Sequence, residues 1–147
     1  MFKHLLVATD GSKISAKAVA HALGIARGLG AKLTAFYASP DYPSPIYAEA
    51  SIYVPMKRKE YMAACKKAAD AILNPIAAKA KTAGVEFDTA HSIAAVPWRA
   101  ILIAAKRQKC DAIVMASHGR RGVSALLLGS ETQKVLTHTK LPVIVVR

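Results

Sequence analysis

The sequence predicts an α/β fold in which helices cover both faces of a doubly wound parallel sheet. Two observations lead to this prediction. Strand-like and helix-like segments alternate along the chain, with five strands in all, which is typical of parallel sheets with right-handed crossovers. The segments Phe2–Thr9 and Asp111–Ser117 are nearly continuous apolar runs, as expected for strands that are covered on both faces.

The alternation gives each element its place in the chain. The strands are predicted over Phe2–Thr9, Ala31–Ser39, Val85–Ile93, Asp111–Ser117 and Leu141–Arg147. Apolar residues at helical spacing predict helices from about Ile14 to Leu29, from about Lys57 to Thr82, from Pro97 onward, and from Ser130 to about His138. Ser12 is expected to cap the first helix, and Gly28 and Gly30 to mark its end. Pro75 should kink or split the second helix.

Length and composition indicate one folded domain. The 147 residues suit a single domain spanning 1–147, and 53% apolar with 20% charged residues is a globular composition. A Pro- and Tyr-rich loop is predicted at about 40–57.

The longest uncharged stretch, Thr89–Trp98, has ten residues, whereas a membrane-spanning helix needs roughly 20. With no signal-peptide pattern either, we expect a cytoplasmic protein. Cys65 and Cys110 lack the spacing of a disulfide framework or a zinc site.

The charge balance favours anionic partners but does not identify a particular one. The net charge of +12 favours a polyanion such as a nucleotide, nucleic acid or an anionic surface. Aromatic residues make up only 6% of the chain and do not interleave with basic residues on a strand, which disfavours nucleic-acid binding as the main function. A basic nucleic-acid-binding protein is kept as an alternative.

In a doubly wound sheet, ligands bind at the carboxyl ends of the strands where the strand order reverses. After the first strand, the segment Ala8-Thr9-Asp10-Gly11-Ser12 places a carboxylate and a flexible turn at that edge. An Asp in such a turn is often a turn former or a helix cap. Because Ser12 can already cap the helix, Asp10 is predicted to be available for a sugar hydroxyl.

The segment after the fourth strand has the features of a phosphate-binding loop. Residues 116–122 read Ala-Ser-His-Gly-Arg-Arg-Gly, and Gly129-Ser130 opens the last helix. Glycine lets backbone N–H groups approach phosphate oxygens closely, and a helix N-terminus adds a positive partial charge. Ser130 and Gln133 fit a capping box at this helix start. The alternative is an ordinary loop with glycines at its turns.

The spacing Ala116-x2-Gly119-x9-Gly129-Ser130 resembles the G-x2-G-x9-G-[ST] signature of ATP-binding universal stress proteins. The resemblance covers the chain from its Leu-Val-Ala-Thr-Asp-Gly-Ser start at 6–12 to its Leu-Pro-Val-Ile-Val-Val end at 141–146. It implies a three-layer, Rossmann-like fold of the adenine nucleotide alpha-hydrolase type with strand order 3-2-1-4-5. It also implies ATP binding with Mg²⁺, a stress-response role, and a homodimer formed through the C-terminal strand. The protein is not expected to be an enzyme, and slow ATP hydrolysis is not expected as its main function.

The resemblance also implies roles for individual residues. Asp10 and Ala116 would hold the ribose, and Ala38 would contact adenine. Phosphate contacts are implied for Gly119, Arg120, Gly129, Ser130 and Thr132. The flanking candidates for ligand contact are Ala8, Thr9, Met115, Ser117, His118 and Glu131. His118 is interpreted as a structural hydrogen-bond partner rather than a base, and the Glu131 carboxylate would repel a phosphate if it pointed inward.

Ala116 departs from the signature, which has glycine at this position. A methyl group there could crowd the ligand, although an alanine with ordinary φ at a strand end should cost little. Two further alternatives therefore stay open. One is a stress-protein dimer that binds no nucleotide. The other is a hydrolytic trio of Asp10, Ser117 and His118, although the common catalytic motifs are absent from the sequence.

Overall fold

The computed structural model describes residues 1–42, 56–118 and 128–147. The elements are β1 (His4–Ala8), α1 (Lys13–Leu29), β2 (Lys32–Ser39), α2 (Arg58–Ala83), β3 (Phe87–Ile93), α3 (Pro97–Arg107), β4 (Ala112–Ala116), α4 (Ser130–His138) and β5 (Val143–Val146). All strand pairs are parallel, in the order β3-β2-β1-β4-β5. The predicted α/β fold and its strand order are confirmed. Gly119, Arg120 and most of the predicted 40–57 loop lie outside the described residues.

Helices cover both faces of the sheet, which makes three layers. Leu5 and Val7 of β1 pack into an apolar cluster with α1 and α2, whereas Leu6 packs on the other face with α3 and α4. All three side chains have 0% exposure. Side chains on a strand alternate between faces, so a strand covered on both faces needs apolar residues at every position. The apolar run in the sequence therefore correctly predicted a central parallel strand.

The helix ends follow from local chemistry. The Ser12 hydroxyl accepts a hydrogen bond from the Ser15 N–H, and Gly30 closes α1 in the left-handed conformation, as predicted. Pro75 does not split α2, which runs unbroken from Arg58 to Ala83. Both Pro75 and Ala71, one turn earlier, are exposed. The carbonyl that loses its helical N–H partner can therefore be hydrated.

The predicted strand ends need correction at the amino-terminal edge of β4. Asp111 was included in the strand, but its carboxylate instead accepts hydrogen bonds from the Lys3 and His4 N–H groups, at 2.7 and 3.1 Å. Burial alone would raise the pKa of Asp111, but these two donors, the backbone N–H of Asp111 itself and the charge of His4 together hold the pKa below its usual value. Asp111 thus ties the start of β1 to the start of β4.

Within the described residues, no helix is long and apolar enough to cross a membrane.

Candidate functional site

The candidate residues meet at the carboxyl ends of three neighbouring strands. β1 lies between β2 and β4, with Ala8 opposite Phe36 and Val7 opposite Val114. The chain leaves β1 toward β2 on one side, and β4 lies on the other, so the strand order reverses between β1 and β4. This is the position at which open α/β sheets bind their ligands. Asp10, Ala38 and Ser117 therefore border one edge of the sheet, as predicted.

The turn after β1 is fixed by its own side chains. The Thr9 N–H donates to the Phe36 carbonyl, and the Thr9 hydroxyl lies 3.0 Å from the Ser15 hydroxyl. Asp10 Oδ1 accepts a hydrogen bond of 2.9 Å from the Ser12 N–H. Asp10 is thus a turn former even though Ser12 caps the helix, and the bond from Asp10 to a sugar hydroxyl stays a prediction.

Ser117 and His118 hold the end of β4 in place. The Ser117 N–H donates to the Val146 carbonyl at 2.8 Å, and the Ser117 hydroxyl lies 2.9 Å from His118 Nδ1. This bond agrees with a structural role for His118, which stays a prediction because a nucleophile and its base would form the same contact. Ser117 is only 4% exposed. Such burial does not suit a nucleophile, which must reach a substrate.

The capping box predicted at the start of α4 is wrong. Ser130 is the first residue of the helix, and its N-cap is Gly129, which has no side chain to accept a hydrogen bond. The Gln133 N–H instead donates to the Gly129 carbonyl, an ordinary helical bond. In the described part of the chain, no side chain caps this helix. Ser130 is exposed, and a helix start without a side-chain cap attracts anions.

Gly129 is required by a close approach of two backbone segments. Its N–H donates to the Ser117 carbonyl at 2.7 Å. A Cβ at position 129 would lie 2.9 Å from His118 Cα and 3.1 Å from the Ser117 carbonyl oxygen. The φ of Gly129 is −59°, a value that any residue adopts. The space available, not the φ angle, therefore requires glycine here.

Two candidates for ligand contact use their side chains elsewhere. Thr132 is 3% exposed, and its hydroxyl donates to the Ala116 carbonyl at 2.9 Å. Glu131 Oε2 accepts a hydrogen bond of 2.8 Å from the Trp98 N–H at the start of α3. The Glu131 carboxylate thus caps a neighbouring helix that has no side-chain cap of its own. Any phosphate contact by these two residues would use their backbone N–H groups. Sequence patterns missed both side-chain contacts, because each joins residues that are far apart in the chain.

Ala116 fits its place in the strand without backbone strain. It is the last residue of β4 and is 7% exposed. Among the described residues other than glycine, only Lys109 has a positive φ. The neighbouring candidates Ala8, Ala38 and Met115 pack with the apolar cluster on the α3 and α4 face, so they form an apolar wall beside the polar turns.

The described residues contain no group of three or more His, Cys, Asp or Glu side chains that could hold a metal ion. The charged candidate of the β1 turn is Asp10, and that of the α4 start is Glu131. The Glu131 side chain is bonded to the start of α3. The site therefore offers backbone donors on one side, an acidic turn in the middle and an apolar wall beyond it.

Comparison with known proteins identifies the family. The model of the universal stress protein family matches residues 1–147. A universal stress protein of Thermus aquaticus is 35% identical over 150 residues, covering 100% of both chains. The structure of UspA from Lactobacillus plantarum has a TM-score of 0.81 at 26% identity, covering 99% of this chain and 97% of that one. A universal stress protein in complex with cAMP has a TM-score of 0.70 at 28% identity, with 99% and 97% coverage. The chain belongs to the universal stress protein family.

Proposed function

We propose that this protein binds ATP, with Mg²⁺, at the carboxyl ends of β1, β2 and β4, and acts as a nucleotide-responsive homodimer in a stress response. The observation that carries the proposal is the start of α4, which has no side-chain cap among the described residues. It is bonded to the carboxyl end of β4, next to the strand that Asp10 follows. A helix N-terminus without a side-chain cap offers N–H donors and a positive partial charge to a phosphate. The net charge of +12 favours such an anion.

The order of groups along the edge suits a nucleotide. Neighbouring strands are about 4.8 Å apart, so β1 and β2 lie one and two strand spacings from β4. With phosphates at the start of α4, the ribose meets Asp10 at β1, and the base extends toward Ala38 at β2. Ala8 and Met115 supply apolar contact on the way. The described residues form no metal cluster, so Mg²⁺ would be held through the phosphates, as is common for this ion.

The cAMP complex of a structural neighbour supports an adenine nucleotide as the ligand. That protein is 28% identical to this chain. The larger phosphate group of ATP suits the open start of α4. We propose binding rather than rapid turnover, because Ser117 is buried and the common catalytic motifs are absent from the sequence.

The homodimer is proposed to form through β5. This strand is at the edge of the sheet, and Val143, Ile144 and Val145 are each only partly buried. An apolar edge strand is a template for pairing with a second copy. Light scattering at micromolar concentration should give the dimer mass, and the Val145→Pro variant should give the monomer mass. A wild-type protein that is monomeric under these conditions would contradict the β5 interface.

The experiment that tests nucleotide binding is calorimetric titration of nucleotide-stripped protein with Mg-ATP, with Mg-GTP as the control for charge attraction. We expect micromolar binding of ATP and at least tenfold weaker binding of GTP. Asp10→Asn should weaken ATP binding, whereas Asp70→Asn, at a half-buried position of α2 where it pairs with Lys66, should leave it unchanged. Equal heats for ATP and GTP that fall steeply with salt would point to a polyanion binder. No heat at all would favour a dimer that binds no nucleotide.

A further inference from the structure

Among the described residues, the backbone of β3 has an unpaired side at the edge of the sheet opposite to β5. This strand is at the edge of the sheet and pairs with β2. The Leu33 N–H donates to the Glu86 carbonyl, and the Ala94 N–H donates to the Ser39 carbonyl. Backbone N–H and C=O groups alternate in direction along a strand. In β3, those of the even-numbered residues therefore point toward β2. The residues whose N–H and C=O groups point outward are Phe87, Thr89, His91 and Ile93.

A groove runs between β3 and α3 beside this open edge. Its volume is about 620 Å³. The small residues that line it are Ala90, Ala94, Ala100 and Ala104, with Phe36 below them. The Ser92 hydroxyl, which also borders the groove, is the one buried side-chain polar atom of the described residues without a hydrogen-bond partner. The groove is therefore mostly apolar, and small side chains leave it open.

The rim of the groove carries a basic stripe on α3. Arg99, Ile103 and Arg107 all line the groove at intervals of four residues. Ile103 is 53% exposed. Within residues 1–42, 56–118 and 128–147, neither arginine forms an ion pair, and the groove lining contains no acidic residue. The Arg99 guanidinium lies over the Trp98 ring, 5.1 Å from its centroid. The stripe thus presents two arginines without a paired carboxylate, on either side of an exposed apolar side chain.

The spacing of this stripe matches an extended chain. Four residues of helix rise about 6 Å, and two residues of strand rise about 6.7 Å. A strand added at β3 could therefore place acidic, apolar and acidic side chains at alternate positions, opposite Arg99, Ile103 and Arg107. We propose that this groove binds an extended acidic segment of a partner protein, which adds a sixth strand to the sheet. Its backbone pairs with the outward groups of β3, and its acidic side chains pair with the two arginines.

The test uses a fluorescein-labelled peptide of sequence Thr-Glu-Thr-Val-Thr-Glu-Thr, followed by fluorescence anisotropy. The matched control peptide has Lys in place of both Glu residues. We expect the acidic peptide to bind at least tenfold more tightly. The double variant Arg99→Ser/Arg107→Ser should lose about tenfold in affinity, whereas Arg27→Ser/Arg58→Ser, which removes the same charge from exposed sites on α1 and α2, should lose less than threefold. Equal losses in both double variants would overturn the proposal.

Hydrogen exchange on the wild-type protein tests the strand addition directly. Saturating peptide should slow exchange at least fivefold at the outward N–H groups of β3, with Thr89 as the central one. Thr89→Pro removes that donor without removing a bond to β2 and should abolish the protection and the binding. Peptide binding without protection of β3, or protection that a rise in protein concentration produces without peptide, would also overturn the proposal. The second result would show that another copy of this chain occupies the edge.

Discussion

The backbone N–H of Gly129 donates a hydrogen bond of 2.7 Å to the carbonyl oxygen of Ser117. This bond holds the start of α4 against the carboxyl end of β4. The two backbone segments are so close that a methyl group on Gly129 would lie 2.9 Å from His118 Cα. The position of the proposed phosphate site therefore depends on a residue without a side chain.

Gly129→Ala is expected to destabilise the protein and weaken ATP binding. The new Cβ must displace backbone atoms, which costs about 1–3 kcal/mol in overpacked sites. Urea unfolding measures the free energy change, and calorimetry measures the affinity, with an expected loss of at least tenfold. The matched control is Gly24→Ala, on the exposed side of α1, where a Cβ meets nothing within 4 Å. That change should stabilise the protein by roughly 0.5–1 kcal/mol. Unchanged stability and affinity in Gly129→Ala would disprove the close approach.

Ala116→Gly is expected to change ATP affinity by less than threefold. Ala116 is the last residue of β4, and its φ is not positive, so the methyl group imposes no backbone strain that glycine would relieve. The variant should lose about 0.5–1 kcal/mol of stability, because glycine weakens a strand. Calorimetry with Mg-ATP measures the affinity, and urea unfolding measures the stability. A tenfold gain in affinity would mean that the methyl group does obstruct the ligand.

Glu131→Ala is expected to destabilise the start of α3. The lost hydrogen bond to the Trp98 N–H is a helix cap, and such caps contribute about 1 kcal/mol. The fluorescence of Trp98, the single tryptophan of the chain, reports on the same site during unfolding. Lys134→Ala is the control, because it removes only the exposed ion pair with Glu131, at 3.5 Å, which is worth little. Equal losses in the two variants would show that the ion pair, not the cap, is responsible.

The sequence predicts the parts of this molecule that depend on local chemistry. The apolar run through Leu5, Leu6 and Val7 identifies a strand that is covered on both faces, and the Ser12 cap follows from its position before the helix. Patterns in the sequence could not predict the cap that Glu131 provides for α3, because the two partners are 33 residues apart. The capping box at Ser130 failed for a similar reason. The bond from Gly129 to Ser117 sets where α4 begins, and a local pattern contains no information on that contact.

Protein stability is expected to fall as the pH drops below about 6.5. Burial lowers the pKa of His4, helped by Lys32, and burial lowers the pKa of His91, helped by Lys66. Each Nε2 lies 2.8 Å from a hydroxyl, Thr34 and Ser39 respectively. Below the ordinary histidine pKa, the unfolded chain takes up protons that the folded one does not, so protonation favours unfolding. Melting temperatures from pH 7.5 to 5 should therefore fall less steeply in the double variant His4→Gln/His91→Gln. Equal slopes in both proteins would rule out these two histidines as the cause.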